Sequence, residues 1–159
     1  MEPRLDPYKL APGAREALSQ MEAYVKQTGL EQPLLELVKT RASQINGCAF
    51  CLAMHTRDAR RAGESEERLY LLNAWHESPC YTPRERAALA WTEALTLISQ
   101  THAPDDVYEE ARAQFSEKEL ADLTMAIVAI NGWNRIAIGF RSEPGGYQPA
   151  RQEAAAASR

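Results

Sequence analysis

The chain has 159 residues, 18 basic and 22 acidic, for a net charge of −4. One domain accounts for that length, and such a chain buries about 70% of the surface its unfolded form exposes, so its core needs no cross-links. The charges are scattered without a basic block, Met1 to Tyr8 is no apolar leader, and no run reaches ~18 apolar residues; neither nucleic acid nor a membrane is an expected partner, and the expected location is cytoplasmic.

Alanine, leucine, glutamate and arginine dominate, and no segment alternates apolar with polar residues, which predicts an all-α fold. A first helix is predicted over 13–28, with Leu18, Met21, Tyr24 and Val25 at helical spacing and Gly29 as its left-handed stop. The second, over 33–44, starts at Pro33, presents Leu34, Leu35, Leu37, Val38 and Ala42 to a core, and is broken by Asn46-Gly47. A third runs over 48–62, with Asn46 as its expected cap and Gly63 as its stop. Ser65, Glu66 and Glu67 open a short fourth helix to about residue 74. Thr82-Pro83-Arg84-Glu85 is a capping box leading into 87–99, and another helix is predicted over 104–114. Ser116 and Glu119 repeat the box before a long segment, 120–140, that is apolar almost all round through Met125, Ile127, Val128, Ile130, Trp133, Ile136 and Ile138. Burial at the centre or between subunits is expected for it. The end, from Glu143, lacks packing pattern and is expected to be flexible.

Three cysteines do not make a secreted disulfide framework, whereas a CxxC in a cytosolic chain points to catalysis or metal binding. At 100° per residue Cys51 lies about 300° from Cys48 and His55 about 400° from Cys51, so the three share a sector of about 100° on one helix. Unpaired N–H groups at the helix start stabilise a thiolate and lower a thiol pKa from ~8.5 into the range ~3.5–7.5. This favours Cys48 as the nucleophile, while the i, i+4 relation puts the His55 imidazole nearest Cys51; geometry alone leaves both open. If Asn46-Gly47 turns the chain into an antiparallel hairpin, the Glu36 carboxylate can orient His55. The alternative for Glu36 is a helix-dipole role.

The run Ser43-Gln44-Ile45-Asn46-Gly47-Cys48, set in the spacing Glu-x11-Cys-x2-Cys-x3-His, resembles the core of the alkylhydroperoxidase D and carboxymuconolactone decarboxylase superfamily. The segments 82–94 and 129–135 resemble its single-domain peroxidase-like branch, and the likeness spans about 31–141. The resemblance implies a helical core domain over 31–141, preceded by a helical segment 1–30 and followed by a tail 142–159. It implies a CxxC at the start of a central helix and assembly as a homo-oligomer, a trimer or hexamer. It also implies a thiol peroxidase in which Cys51 attacks the hydroperoxide, Cys48 resolves, His55 is the base and Glu36 starts the proton relay. No bound cofactor or metal is implied, only an external dithiol reductant, lipoyl-type or thioredoxin-like, supplied by a redox partner protein. One position departs from the pattern: Phe50 stands where the peroxidases place a second histidine, so the relay is shorter.

Competing readings are a zinc site completed by His76 or Cys80, a lactone decarboxylase working by proton transfer, and a redox-sensing helical protein without turnover. Cys80 reads as an isolated thiol, and His76 and His102 as surface residues without evident partners. Trp75, Trp91 and Trp133 read as core or interface anchors. Asn131, Asn134 and Arg135, which interrupt the last apolar segment, read as partners for helix ends or a subunit contact. The peroxidase reading requires sulfurs crowded together at an accessible helix start.

Overall fold

The structure is a computed structural model and describes residues 2–145. Among them every regular element is helical: α1 (Pro7–Leu10), α2 (Pro12–Val25), α3 (Gln32–Asn46), α4 (Ala49–Arg61), α5 (Glu66–Leu71), a 3-10 turn (Leu72–Ala74), α6 (Pro83–Thr96), α7 (Ile98–Thr101), α8 (Asp105–Gln114) and α9 (Glu117–Phe140). Proline sits in the first turn of α3 and of α6, where its missing N–H is no loss. Reciprocal capping boxes at Thr82/Glu85 and Ser116/Glu119 open α6 and α9.

α3 is the hub, packing against α4, α6 and α9, while α9 also lies along α2. Val25, Leu35, Val38, Ala88, Leu123 and Ile127 fill the main core between these helices. A second cluster joins Leu37 to Ala59, Leu72, Trp75 and Leu89. Lys39, 1% exposed, is neutralised by a salt bridge to Glu22 across α2 and α3.

Several expectations are corrected. α1 was not anticipated, although Asp6-Pro7 carries its signal: the Asp6 carboxylate accepts from the N–H groups of Tyr8 and Lys9. α2 ends at Val25, before residue 28, and α6 ends at Thr96, with 98–101 forming a separate turn of helix. Asn46 is not the cap of α4; it is the last residue of α3, and Cys48 is the cap. Within one chain α9 is not buried all round, because Met125, Val128 and Ile138 are 39%, 48% and 44% exposed while Leu123, Ile127 and Ile130 are covered. Beyond Gly145, the tail expected over 142–159 lies outside the described residues.

Candidate active site

The site begins with a reversal of the chain. Gly47 takes φ 70°, a left-handed conformation that costs a residue with a side chain about 1–2 kcal/mol, and the N–H groups of Gly47 and Cys48 close on the carbonyls of Gln44 and Ser43. Only two residues, Gly47 and Cys48, therefore separate α3 from α4. Its register against α3 places Glu36 opposite His55. Cys48 takes the N-cap position with extended backbone, and its sulfur accepts the Cys51 N–H at 3.3 Å.

That position makes the two thiols unequal. A hydrogen bond from the Cys51 thiol, the Cys51 and Phe50 N–H groups and the Asn134 side chain together outweigh burial and hold the Cys48 pKa down to about 7. The Cys51 thiol is pushed well above its ordinary value by donating to Cys48, by burial and by the neighbouring negative charge. Of the two thiols, Cys48 is thus the one that gives up its proton more readily. Both cysteines are free thiols, packed with Ala42, Ile130 and Ala137 under Phe50 and Trp133.

One turn along α4, the His55 Nδ1 lies 2.8 Å from Glu36 Oε2, with both side chains buried. The Gln32 amide donates to the other Glu36 oxygen at 2.7 Å. Burial alone would raise the Glu36 pKa, but the bonds from His55 and Gln32 and the charge of Lys39 bring it below the ordinary carboxylate value. An ionised Glu36 can accept a hydrogen bond from His55 Nδ1–H, a tautomer that leaves Nε2 unprotonated in the neutral ring. The structure joins the four residues singled out in the sequence as two contacts, Glu36 with His55 and Cys48 with Cys51, with His55 one turn beyond Cys51 on α4.

The expected accessibility is not found. Cys48 and Cys51 are each 1% exposed, because Phe50 and the α9 side chains close over the start of α4. The N-terminal segment adds a cover: Arg4 bonds the Phe140 and Gly139 carbonyls, and the Tyr8 ring lies 6.3 Å from Trp133. A cavity of about 280 Å³ opens instead at the far end of α4, beside Ala62, Arg68 and Glu85. Access to the sulfurs therefore requires displacement of this cover. Tyr8→Ala is expected to speed alkylation of the native dithiol by iodoacetamide severalfold, read by mass spectrometry of Cys48 and Cys51; an unchanged rate means entry is elsewhere.

Sequence reasoning gave three polar residues at this site other places: Asn134 as a partner for helix ends or a subunit contact, Asn46 as a helix cap, and Ser43 as part of the motif run. Asn134, Ser43 and Asn46 are hydrogen-bonded to one another next to the sulfurs, and their signal was polarity inside an apolar stripe. Thr40, between Glu36 and Ser43 on the same face of α3, is buried, and its hydroxyl is the one buried side-chain polar atom without a partner among the described residues. The remaining candidates lie elsewhere. Cys80 contacts the Ser78 hydroxyl, and the exposed His76 does have partners, stacking on Trp75 and reaching Glu93 at 3.4 Å. Trp75 and Trp91 are buried anchors. Among the described residues no three His, Cys, Asp or Glu side chains are grouped as metal ligands.

An all-helical domain with a dithiol at the N-terminus of its fourth helix is an alkylhydroperoxidase D-like architecture. A sequence model of the carboxymuconolactone decarboxylase family matches residues 12–94, and the chain belongs to that family, which includes enzymes. The uncharacterized protein YdfG of Bacillus subtilis is 45% identical over 140 residues, 88% of this chain and 95% of that protein. A structure from Agrobacterium tumefaciens, of a protein of unknown function offered as an antioxidant defence protein AhpD, superposes with a TM-score of 0.87 at 49% identity, covering 90% of this chain and 98% of that one. The debrominase Bmp8 shares the fold alone, with a TM-score of 0.75 at 18% identity over 87% of this chain and 74% of that one.

Proposed function

We propose that the chain is a thiol peroxidase that reduces hydroperoxides through a Cys48–Cys51 dithiol–disulfide cycle, with His55 and Glu36 as its proton relay. The observation that carries this reading is the Cys48 thiolate position at the start of α4, hydrogen-bonded to Cys51 one turn from a carboxylate-oriented imidazole.

Cys51 needs a base because its thiol holds its proton tightly, and His55 Nε2 supplies one. The Cys51 sulfur attacks the distal peroxide oxygen, the O–O bond breaks, and the proton taken by Nε2 leaves with the departing alkoxide as an alcohol. Cys51 is then a sulfenic acid. The Cys48 thiolate attacks that sulfur, and hydroxide departs with a proton as water, forming the disulfide before further oxidation. In sum, two thiols and a hydroperoxide give a disulfide, an alcohol and water. An external dithiol from a cytoplasmic redox partner reopens the pair. Cys48 is the better leaving group in that exchange, because a lower thiol pKa speeds departure.

Steady-state turnover with hydrogen peroxide, an organic hydroperoxide and a lactone acid, each with a lipoyl-type or thioredoxin-type reductant, tests the reading. Consumption of a hydroperoxide coupled to oxidation of the reductant is expected. Decarboxylation of the lactone acid by a Cys48→Ser/Cys51→Ser double variant would replace this reading with proton-transfer chemistry. The exposed Met125, Val128 and Ile138 face of α9 supports a homo-oligomer as the working form.

A further inference from the structure

We propose that Asn134 is the residue that holds the dithiol's negative charge: one N–H of its buried amide donates to the thiolate, and Ser43 and Asn46 fix the amide in that orientation. The proposal rests on the dithiol reading above and assigns to this pair a donor outside its own helix.

A count of donors and acceptors carries the argument. The two N–H groups of the Asn131 amide go to Thr96 Oγ1 at 3.1 Å and the Ile127 carbonyl at 3.0 Å, which turns Asn131 Oδ1 toward Asn46. Both N–H groups of Asn46 are then used, on Asn131 Oδ1 at 3.0 Å and Asn134 Oδ1 at 2.9 Å. That identifies the oxygen of Asn134 and therefore its nitrogen. One of the nitrogen's protons goes to Ser43 Oγ at 3.1 Å. Ser43 can only accept there, because its own proton is given to the Lys39 carbonyl at 2.7 Å.

One Asn134 N–H remains. Asn134 is 0% exposed, so solvent does not satisfy it. Its neighbours on α9, Ile130, Trp133 and Ala137, pack on Cys48 and Cys51, so the spare donor stands in the middle of the stripe that covers the sulfurs. A buried N–H left unpaired costs about 1–3 kcal/mol, whereas a charge-assisted bond to a thiolate is among the stronger ones available. In agreement, the Asn134 side chain lowers the pKa of both thiols.

A residue serving only to tie α3 to α9 affects thermal stability, while a thiolate donor also moves the ionisation of the pair. Iodoacetamide alkylation against pH, followed at Cys48 by mass spectrometry, separates the two. In Asn134→Asp, which keeps the shape but replaces the donor with an acceptor, the midpoint is expected to rise by about one pH unit or more, a tenfold fall in the thiolate-to-thiol ratio at a given pH. Asn134→Ala is expected to shift it in the same direction by less. A variant folded by circular dichroism with an unmoved midpoint overturns the proposal. Should both variants fail to fold, the unaltered protein decides: with ¹⁵N-labelled asparagine, one side-chain amide pair is expected to titrate with the thiol and to lose that titration in the disulfide form. No amide following the titration overturns the proposal. Neither readout uses peroxide, so failure of the peroxidase reading appears separately, as an unaltered protein without peroxide turnover.

Discussion

Cys51→Ser is expected to reduce peroxide consumption to background, whereas Cys48→Ser consumes one equivalent per chain and stops with a sulfenic acid on Cys51. The difference follows from the unequal roles of the sulfurs. Without Cys51 the thiol one turn from His55 is gone, and the remaining Cys48 loses the Cys51 thiol proton and its disulfide partner, while the backbone N–H of residue 51 still donates to it. Without Cys48 the first oxidation proceeds, but nothing condenses with the sulfenate. Dimedone trapping and peptide mass spectrometry read both outcomes, and a sulfenate confined to Cys48 in the Cys51→Ser protein reverses the assignment. Cys80→Ser should keep full turnover, since Cys80 contacts Ser78 in a separate part of the fold.

The relay should show the second largest effect. His55→Ala is expected to lower peroxide turnover by about 10²–10⁴-fold, the usual contribution of a positioned acid–base group. Glu36→Gln keeps an acceptor near Nδ1 but removes the charge, so a smaller loss is expected, with the pH–rate profile displaced. The sign of the accompanying stability change is fixed by the lowered Glu36 pKa. A carboxylate with a depressed folded pKa stabilises fully above the ordinary carboxylate range and loses that contribution as pH falls through the folded value. Acid unfolding of Glu36→Gln should therefore be less steep than that of the unaltered chain between those two limits. An identical pH–rate profile and acid transition in the two proteins would remove Glu36 from the relay.

The helical framework was legible because its boundaries rest on local chemistry: prolines in first turns, two capping boxes and the Asn46-Gly47 reversal. Cys48, Cys51, His55 and Glu36 were legible because one hairpin joins them, and a hairpin obeys spacing rules. What spacing could not show came from elements distant in sequence. Asn134 is 86 residues beyond Cys48, and its amide is oriented by a chain of bonds through Asn46, Asn131 and Ser43 that only packed helices assemble. The cover over the sulfurs likewise depends on α9 and on an N-terminal turn crossing to Phe140. For α9 itself, apolar residues all round suggested burial, yet a single chain has too few partners to cover Met125, Val128 and Ile138.

The most direct test is to give the reduced native protein one equivalent of hydroperoxide and map its cysteines. The peroxidase account predicts loss of two thiols per chain, one alcohol or water released from the peroxide, and a Cys48–Cys51 disulfide that a dithiol reopens. Recovery of both thiols unchanged, or oxidation confined to Cys80, would contradict it.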